Sequence, residues 1–256
     1  MKWIDTHAHI YLPNFESDLK EVVARMLDAG VEKVLLPDID SAHSRALYIL
    51  SEMYPEIFFS MCGLHPCSVG DSWQEELAHV EKELATGRHY AVGEIGLDYY
   101  WDTTHADKQR EAFRTQLRWA KELNLPVAIH TREAFEDVFQ ILEEEQDGSL
   151  KGVLHCFTGN ADQAARGIAL GMHLGIGGVV TYKNGGLDKS LVNVPLNRLL
   201  AETDSPYLPP IPHRGKRNES SYLPIIGERL AEIMGVTTEE MADITTANAK
   251  KLFSLS

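Results

Sequence analysis

Eight short apolar runs alternate with stretches of helical periodicity along the whole chain, and few architectures accommodate that alternation. The runs are Trp3 to Asp5, Lys33 to Pro37, Ile57 to Met61, Tyr90 to Glu94, Pro126 to His130, Gly152 to His155, Met172 to Ile176 and Arg198 to Glu202. Between them the spacing predicts helices from Asp18 to Gly30, from Ser41 as cap to about Tyr54, and from Ser72 to about Ala85. Others follow from about Ala106 to Leu123, from Glu133 to Glu145, from Ala161 to Leu170, and around Leu187 to Val192. The tail from Tyr222 onwards also reads as helical. Parallel neighbours are joined through crossovers, so this order predicts a parallel sheet. Eight units without a linker, repeat or low-complexity segment predict an α/β fold, one closed (β/α)8 TIM barrel over residues 1–256. The competing architecture is an open, doubly wound sheet.

Polar residues sit where such runs end. His7 and His9 follow the first run two residues apart, a spacing that puts both imidazoles on one face of an extended strand. Glu94, His130, His155 and Asp204 stand at the ends of runs four, five, six and eight. In a barrel these are C-terminal strand ends, the face that carries active sites. One histidine there is usually a packing or hydrogen-bonding residue, but four at equivalent positions are not explained that way. Four imidazoles and two carboxylates suffice for two divalent ions with one carboxylate bridging them.

Composition narrows the partners. The 256 residues carry 24 basic and 38 acidic side chains, a net charge of -14, so the chain does not grip a polyanion by bulk electrostatics. A nucleic-acid substrate requires a local basic patch and metal. Hydrophobic residues make up 44%, enough for a large core, and no apolar run approaches a membrane span. Cys62, Cys67 and Cys156 do not form a disulfide framework, and no signal peptide is evident at the start, so the expectation is a cytoplasmic protein. No obligate protein partner is evident.

The segments Asp5-Thr6-His7-Ala8-His9, Gly63-Leu64-His65-Pro66, Gly93-Glu94-Ile95-Gly96-Leu97-Asp98, His130-Thr131-Arg132-Glu133-Ala134, His155-Cys156-Phe157-Thr158-Gly159 and Glu202-Thr203-Asp204-Ser205-Pro206-Tyr207 resemble the TatD family of metal-dependent hydrolases. The resemblance extends through residues 212–219 and the tail segment 246–253, and so covers essentially the whole chain in order. It implies an amidohydrolase-like barrel, the ligand set His7, His9, Glu94, His130, His155 and Asp204, and, for several members, deoxyribonuclease activity. The chain departs from the pattern at Ser220, where the family commonly has proline.

The ligand types suggest the chemistry. His7 and His9 hold one ion with Glu94 and Asp204; His130 and His155 hold the other, with Glu94 shared between them. A water bridging two dications loses a proton near neutral pH, giving hydroxide. Asp204 is the candidate general base and Glu94 the candidate bridge. Imidazole ligands favour zinc, manganese or iron over magnesium alone, and the identity stays open. Such a site serves a DNA or other phosphodiester, making a deoxyribonuclease or phosphodiesterase the leading expectation. The alternative is a hydrolase of the same barrel acting on an ester, lactone, amide or aminoacyl-ester bond, and a non-catalytic metal-binding scaffold is a third reading.

Candidate substrate contacts are Arg132, Arg214, Lys216 and His65, with Arg217 in the same basic loop. The loop also reads as a merely solvated surface, and His65 as a turn residue beside Pro66. Tyr99, Tyr100 and Trp101 either stack a base or pack over the barrel mouth. Glu202 shares a face with Asp204 and is a candidate outer support for the ligands. Cys156, next to His155, is expected to point away from the site.

Overall fold

The computed structural model describes residues 1–256. Eight strands run in chain order: β1 (Trp3–Asp5), β2 (Val31–Leu36), β3 (Phe58–Ser60), β4 (Val92–Asp98), β5 (Val127–Arg132), β6 (Gly152–Leu154), β7 (Met172–Ile176) and β8 (Leu199–Ala201). Between and after them lie α1 (Leu19–Asp28), α2 (Ser41–Met53), α3 (Trp73–Leu84), α4 (Ala106–Leu123), α5 (Phe135–Glu145), α6 (Ala161–Ala169), α7 (Leu187–Ser190), α8 (Leu223–Met234) and α9 (Thr238–Phe253). All pairings are parallel, β1-β2-β3 and β4-β5-β6-β7-β8.

Two short junctions close the ring. Cys62 bridges Val92 between β3 and β4, with Cys62 N–H on Ala91 O at 3.1 Å and Gly93 N–H on Cys62 O at 2.9 Å. Ala8 bridges Ser205 between the extensions of β1 and β8, with Thr6 N–H on Ala201 O and Asp204 N–H on His7 O. The sheet is therefore a closed eight-stranded barrel and not the open, doubly wound alternative.

Strand alternation sorts the side chains. Ile4, Leu35, Phe59, Met61, Ala91, Ala128, Val153 and Leu200 form one buried cluster inside the barrel. Their neighbours Val34, Leu36, Val127, Ile129 and Leu154 face the helices and join the larger core. The barrel cluster also contains Ala249, Leu252 and Phe253 from α9, and Leu255 beyond it. A Thr237–Glu240 capping box starts α9, and Lys250 and Lys251 sit in its last turn, where the helix dipole favours cations. Thr246 Oγ1 donates to Lys2 O, and Asn248 Nδ2 to Leu196 O and Leu199 O, which seats α9 across the N-terminal ends of β1 and β8.

Two local expectations are corrected. Asp40, not Ser41, caps α2 by accepting from Ala42 N–H, while Ser41 bonds Glu76 of α3. The fourth strand does not end at Glu94 but continues to Asp98. Its glycines allow close backbone approach: a Cβ on Gly96, whose φ is 137°, would collide with the carbonyl oxygen of His130. The register between Val92 and Ile95 gains one residue on β4 relative to β5, and this bulge carries Glu94.

Candidate metal centre

The C-terminal strand ends bring His7, His9, Glu94, His130, His155 and Asp204 into one cluster. His130 lies within β5 and Glu94 in the bulge of β4; the others stand just beyond β1, β6 and β8. Glu94, 2% exposed, is the centre. Its Oε2 lies 3.1 Å from His7 Nε2 and 3.4 Å from His9 Nε2. Its Oε1 lies 2.8 Å from His130 Nδ1, 2.9 Å from His155 Nε2 and 3.3 Å from His65 Nε2. Asp204 Oδ1 approaches the first pair, 3.8 Å from His7 Nε2 and 3.6 Å from His9 Nε2. The two carboxylate oxygens of Glu94 thus face two separate groups of imidazoles.

For two of the rings the far side shows which nitrogen carries its proton. Tyr11 spends its hydroxyl proton on Pro37 O at 2.6 Å, so His9 Nδ1–H donates to Tyr11 at 3.0 Å. His130 Nε2–H donates to Asp98 Oδ2 at 2.8 Å. His155 Nδ1 faces Glu202 Oε1 at 3.3 Å. The His9 and His130 arrangements leave a nitrogen lone pair turned towards carboxylate oxygens, a repulsive contact unless a cation or proton lies between. Glu94 Oε1 also faces three rings while having two lone pairs. His7 Nδ1 and His155 Nδ1 are buried without a hydrogen-bond partner, and the His7 and His155 rings stack at 3.7 Å. This donor set fits divalent metal, and its residues form three groups spaced to hold an ion: His7 with His9 and Glu94, His7 with His155 and Asp204, and His65 with Glu94 and His130.

The field of the cluster points the same way. Burial alone would raise Glu94 and Asp204; the surrounding imidazoles outweigh it and hold both carboxyls below their usual range. Burial disfavours charge on His9, but Asp204 and Glu94 outweigh it and raise the ring to about 9. His130 and His155 are raised against burial by their carboxylate neighbours. His7 is lowered by burial and by repulsion from His155, and His65 by burial. A site that draws protons onto three imidazoles offers the same attraction to a cation.

Supports around the cluster include residues that reading the sequence did not assign. Asp98 anchors His130, and Tyr11 anchors His9. Asp5, fully buried, accepts from the N–H groups of His7 and Thr203 and from the hydroxyls of Thr203 and Ser220, tying β1 to the loops after β8. The Ser220 hydroxyl, 2.6 Å from Asp5, gives the departure from the family's proline a physical use. Two buried glutamines of α4 clamp backbone: Gln109 holds both polar groups of Asp98, and Gln116 both of Leu64. The signal for Asp5 and Tyr11 was the same period of two that relates His7 to His9, and Asp98 continues the period from Glu94. Glu202, wholly buried, accepts from Cys156 N–H, and a Cβ on Gly175 would strike its carboxylate.

A cavity of about 690 Å³ opens over Glu94, His130, His155 and Asp204. Arg132, His65, Ile39, Val179, Tyr207 and Trp101 are among its walls. Arg132 lies 3.7 Å above the Tyr100 ring and 5.3 Å from that of Trp101, itself 71% exposed. Tyr99 instead donates to Asp137 on α5. Cys156 lines the cavity, contrary to expectation: β6 has ended at Leu154, and Cys156 adopts a φ of 45°, which breaks strand alternation. Arg214 packs on Tyr182 at 4.6 Å, and Lys216 is exposed; neither lines the cavity. Arg217 is bound to Asp18 and Asn14 O.

Comparison with known proteins agrees with this geometry. Residues 4–254 match the family described as TatD related DNase. The chain is 42% identical to the metal-dependent hydrolase YabD of Bacillus subtilis (strain 168), over 98% of this chain and 99% of YabD. It is 36% identical to the 3'-5' ssDNA/RNA exonuclease TatD of Pantoea vagans (strain C9-1), over 98% and 99% of the two chains. The crystal structure of YJJV, a TatD homologue from Escherichia coli K12, superimposes with a TM-score of 0.93 at 30% identity, covering 99% of this chain and 98% of that one. Barrel, ligand cluster and whole-length match converge: this chain belongs to the TatD family of metal-dependent hydrolases.

Proposed function

We propose that residues 1–256 act as one barrel domain that hydrolyses phosphodiester bonds of nucleic acid, with two divalent ions. His7, His9, Glu94 and Asp204 would hold one ion, and His130, His155 and the shared Glu94 the other. The observation that carries the reading is Glu94 itself, with its two oxygens turned to two groups of imidazole nitrogens. When bound, divalent metal supplies Lewis acidity at a phosphoryl oxygen and makes water more acidic at neutral pH.

The chain's own residues do the rest. Asp204 accepts the proton of the attacking water and returns it to the leaving oxygen; its low basicity is offset by its proximity to the reacting atoms. Tyr11 and Asp98 keep the His9 and His130 rings in the orientation that presents lone pairs inward, and Glu202 lies 3.3 Å from His155. Arg132, pre-ordered on Tyr100, is placed to hold a phosphate, and Trp101 beside it offers a face for a base. The relative named as a single-stranded DNA and RNA exonuclease supports taking single-stranded ends as the first substrates. Three free cysteines accord with work in the cytoplasm, and no helix is long and apolar enough to cross a membrane.

The test is a panel on protein loaded with zinc, manganese or magnesium: single-stranded and duplex oligonucleotides, a small phosphodiester, a lactone, an amide and an aminoacyl ester. Turnover of oligonucleotide that EDTA abolishes is the expected result. Turnover confined to the carboxylic substrates, or undiminished by EDTA, would overturn it.

A further inference from the structure

The geometry points to His65 as a fixed hydrogen-bond donor to the substrate's phosphoryl oxygen, and not as a ligand of either ion. This rests on the phosphodiester reading above. By position alone His65 is as good a ligand as its neighbours, since its Nε2 is within 3.3 Å of Glu94 and its ring packs edge-on to His130 at 4.6 Å. The difference lies in the proton. His65 Nδ1 accepts the backbone N–H of Cys67 at 3.0 Å. A peptide N–H cannot accept, so the neutral ring must carry its own proton on Nε2, the atom that faces the cavity. His9 and His130 are anchored the opposite way, through a donated N–H, and present lone pairs. His65 therefore offers an N–H where those two rings offer lone pairs.

That donor is rigidly placed. His65 N–H bonds Ile39 O at 2.9 Å, Gln116 holds both backbone groups of Leu64, and Pro66 follows in a 3-10 turn over Pro66–Ser68. In the cluster, Nε2–H reaches only Glu94 Oε1, where two closer rings compete. Charge grows on the non-bridging oxygens of a phosphoryl group in its transition state, and a pre-oriented donor stabilises it without reorganising.

The competing role is structural, because the Nδ1 contact makes His65 the cap of that turn. His65→Asn separates the two, as asparagine is a strong capping residue whose short amide does not extend to the cavity. The expected result is an unchanged melting temperature and unchanged metal content by elemental analysis. Affinity for inorganic phosphate should weaken at least about tenfold, and kcat on an oligonucleotide should fall by about 10²-fold. Nitrogen-15 shifts of the metal-loaded parent should show His65 protonated at Nε2 and unprotonated at Nδ1. A lost metal equivalent, or a metal-bound Nε2 signal, would make His65 a ligand and overturn the inference. Parental phosphate affinity and kcat would leave it a cap only and overturn the inference equally. If the parent cleaves no phosphodiester, the proposed function fails, while metal content, nitrogen shifts and phosphate affinity still decide the role of His65.

Discussion

At the N-terminal ends of the strands, Leu252, Phe253 and Leu255 close the barrel over Ile4, Leu35, Phe59 and Leu200, all of them buried. At the opposite ends no apolar layer closes it. There β1, β4, β5, β6 and β8 deliver four imidazoles and two carboxylates, and the backbone takes left-handed conformations at Glu133, Cys156, Asp204 and Leu208, with φ of 54°, 45°, 58° and 48°, as it also does at Ser254 in the closing segment. Residues other than glycine are disfavoured in that region by order 1–3 kcal/mol, so the surrounding structure must hold them. The comparison teaches a division of labour: one end stabilises the fold by burial, and the other uses that stability to hold charged groups together.

Substitutions at the open end should separate activity from stability most sharply. Asp204→Asn should lower kcat by about 10²–10⁴-fold while oligonucleotide still binds. Glu94→Gln should lower it comparably with loss of bound metal, because a neutral amide compensates two dications poorly. Both should melt near the parent temperature. Parental rate and metal content in either variant would show that the cluster is not the reaction centre.

The closed end should respond in the opposite sense. Phe253→Ala removes a fully buried ring and is expected to cost about 3–5 kcal/mol. In a chain of this size that lowers the melting temperature by about 10 °C. Activity per folded molecule at low temperature should be unchanged; a matching fall in kcat would mean that α9 reaches the site.

A titration away from the metal cluster sharpens the contrast. Burial, helped by Arg88, depresses His89 to about 4. Its unfolded value is about 6.5, so only the unfolded chain takes up this proton between those values. Stability from this residue is complete above pH 6.5 and falls as pH drops towards 4, by roughly 3 kcal/mol. Denaturant titrations from pH 7 to 4.5 should show a shallower acid loss in His89→Gln, and an unaltered slope would refute the assignment.

The smallest expected effect is in substrate grip. Arg132→Ala should raise KM for an oligonucleotide by about tenfold and flatten the salt dependence of binding by a slope of roughly 0.7. The double variant Arg214→Ala with Lys216→Ala should change KM less, since neither residue lines the cavity. Steady-state kinetics at three salt concentrations decide the order; a larger effect from the double variant would place the basic loop over bound substrate.

Much of this was legible in the order of residue types. The eight β-α units follow from where apolar runs give way to helical periodicity, and α4 and β7 have the bounds that periodicity predicts. The six clustered side chains stand out because histidines and carboxylates recur where five of the eight runs end. Legibility failed where tertiary contact overrides local pattern. The fourth run reads as ending at Glu94, yet β4 continues through Gly96 to Asp98, because β5 packs too closely there for a side chain. Cys156 reads as facing away, yet a left-handed backbone turns it into the cavity.

The sequence by itself determined the alternation of elements and the identity of the donors, since both depend on residue type at short spacing. Only the tertiary structure decided that the ring closes, through Cys62–Val92 and Ala8–Ser205. It alone decided that Asp98 and Tyr11 orient two of the imidazoles, and that Arg132 enters the cavity while Arg217 is tied to Asp18. The physical reason is that a hydrogen bond is set by distance and direction to within fractions of an ångström. Residues far apart in the chain acquire that relation only when the barrel has closed.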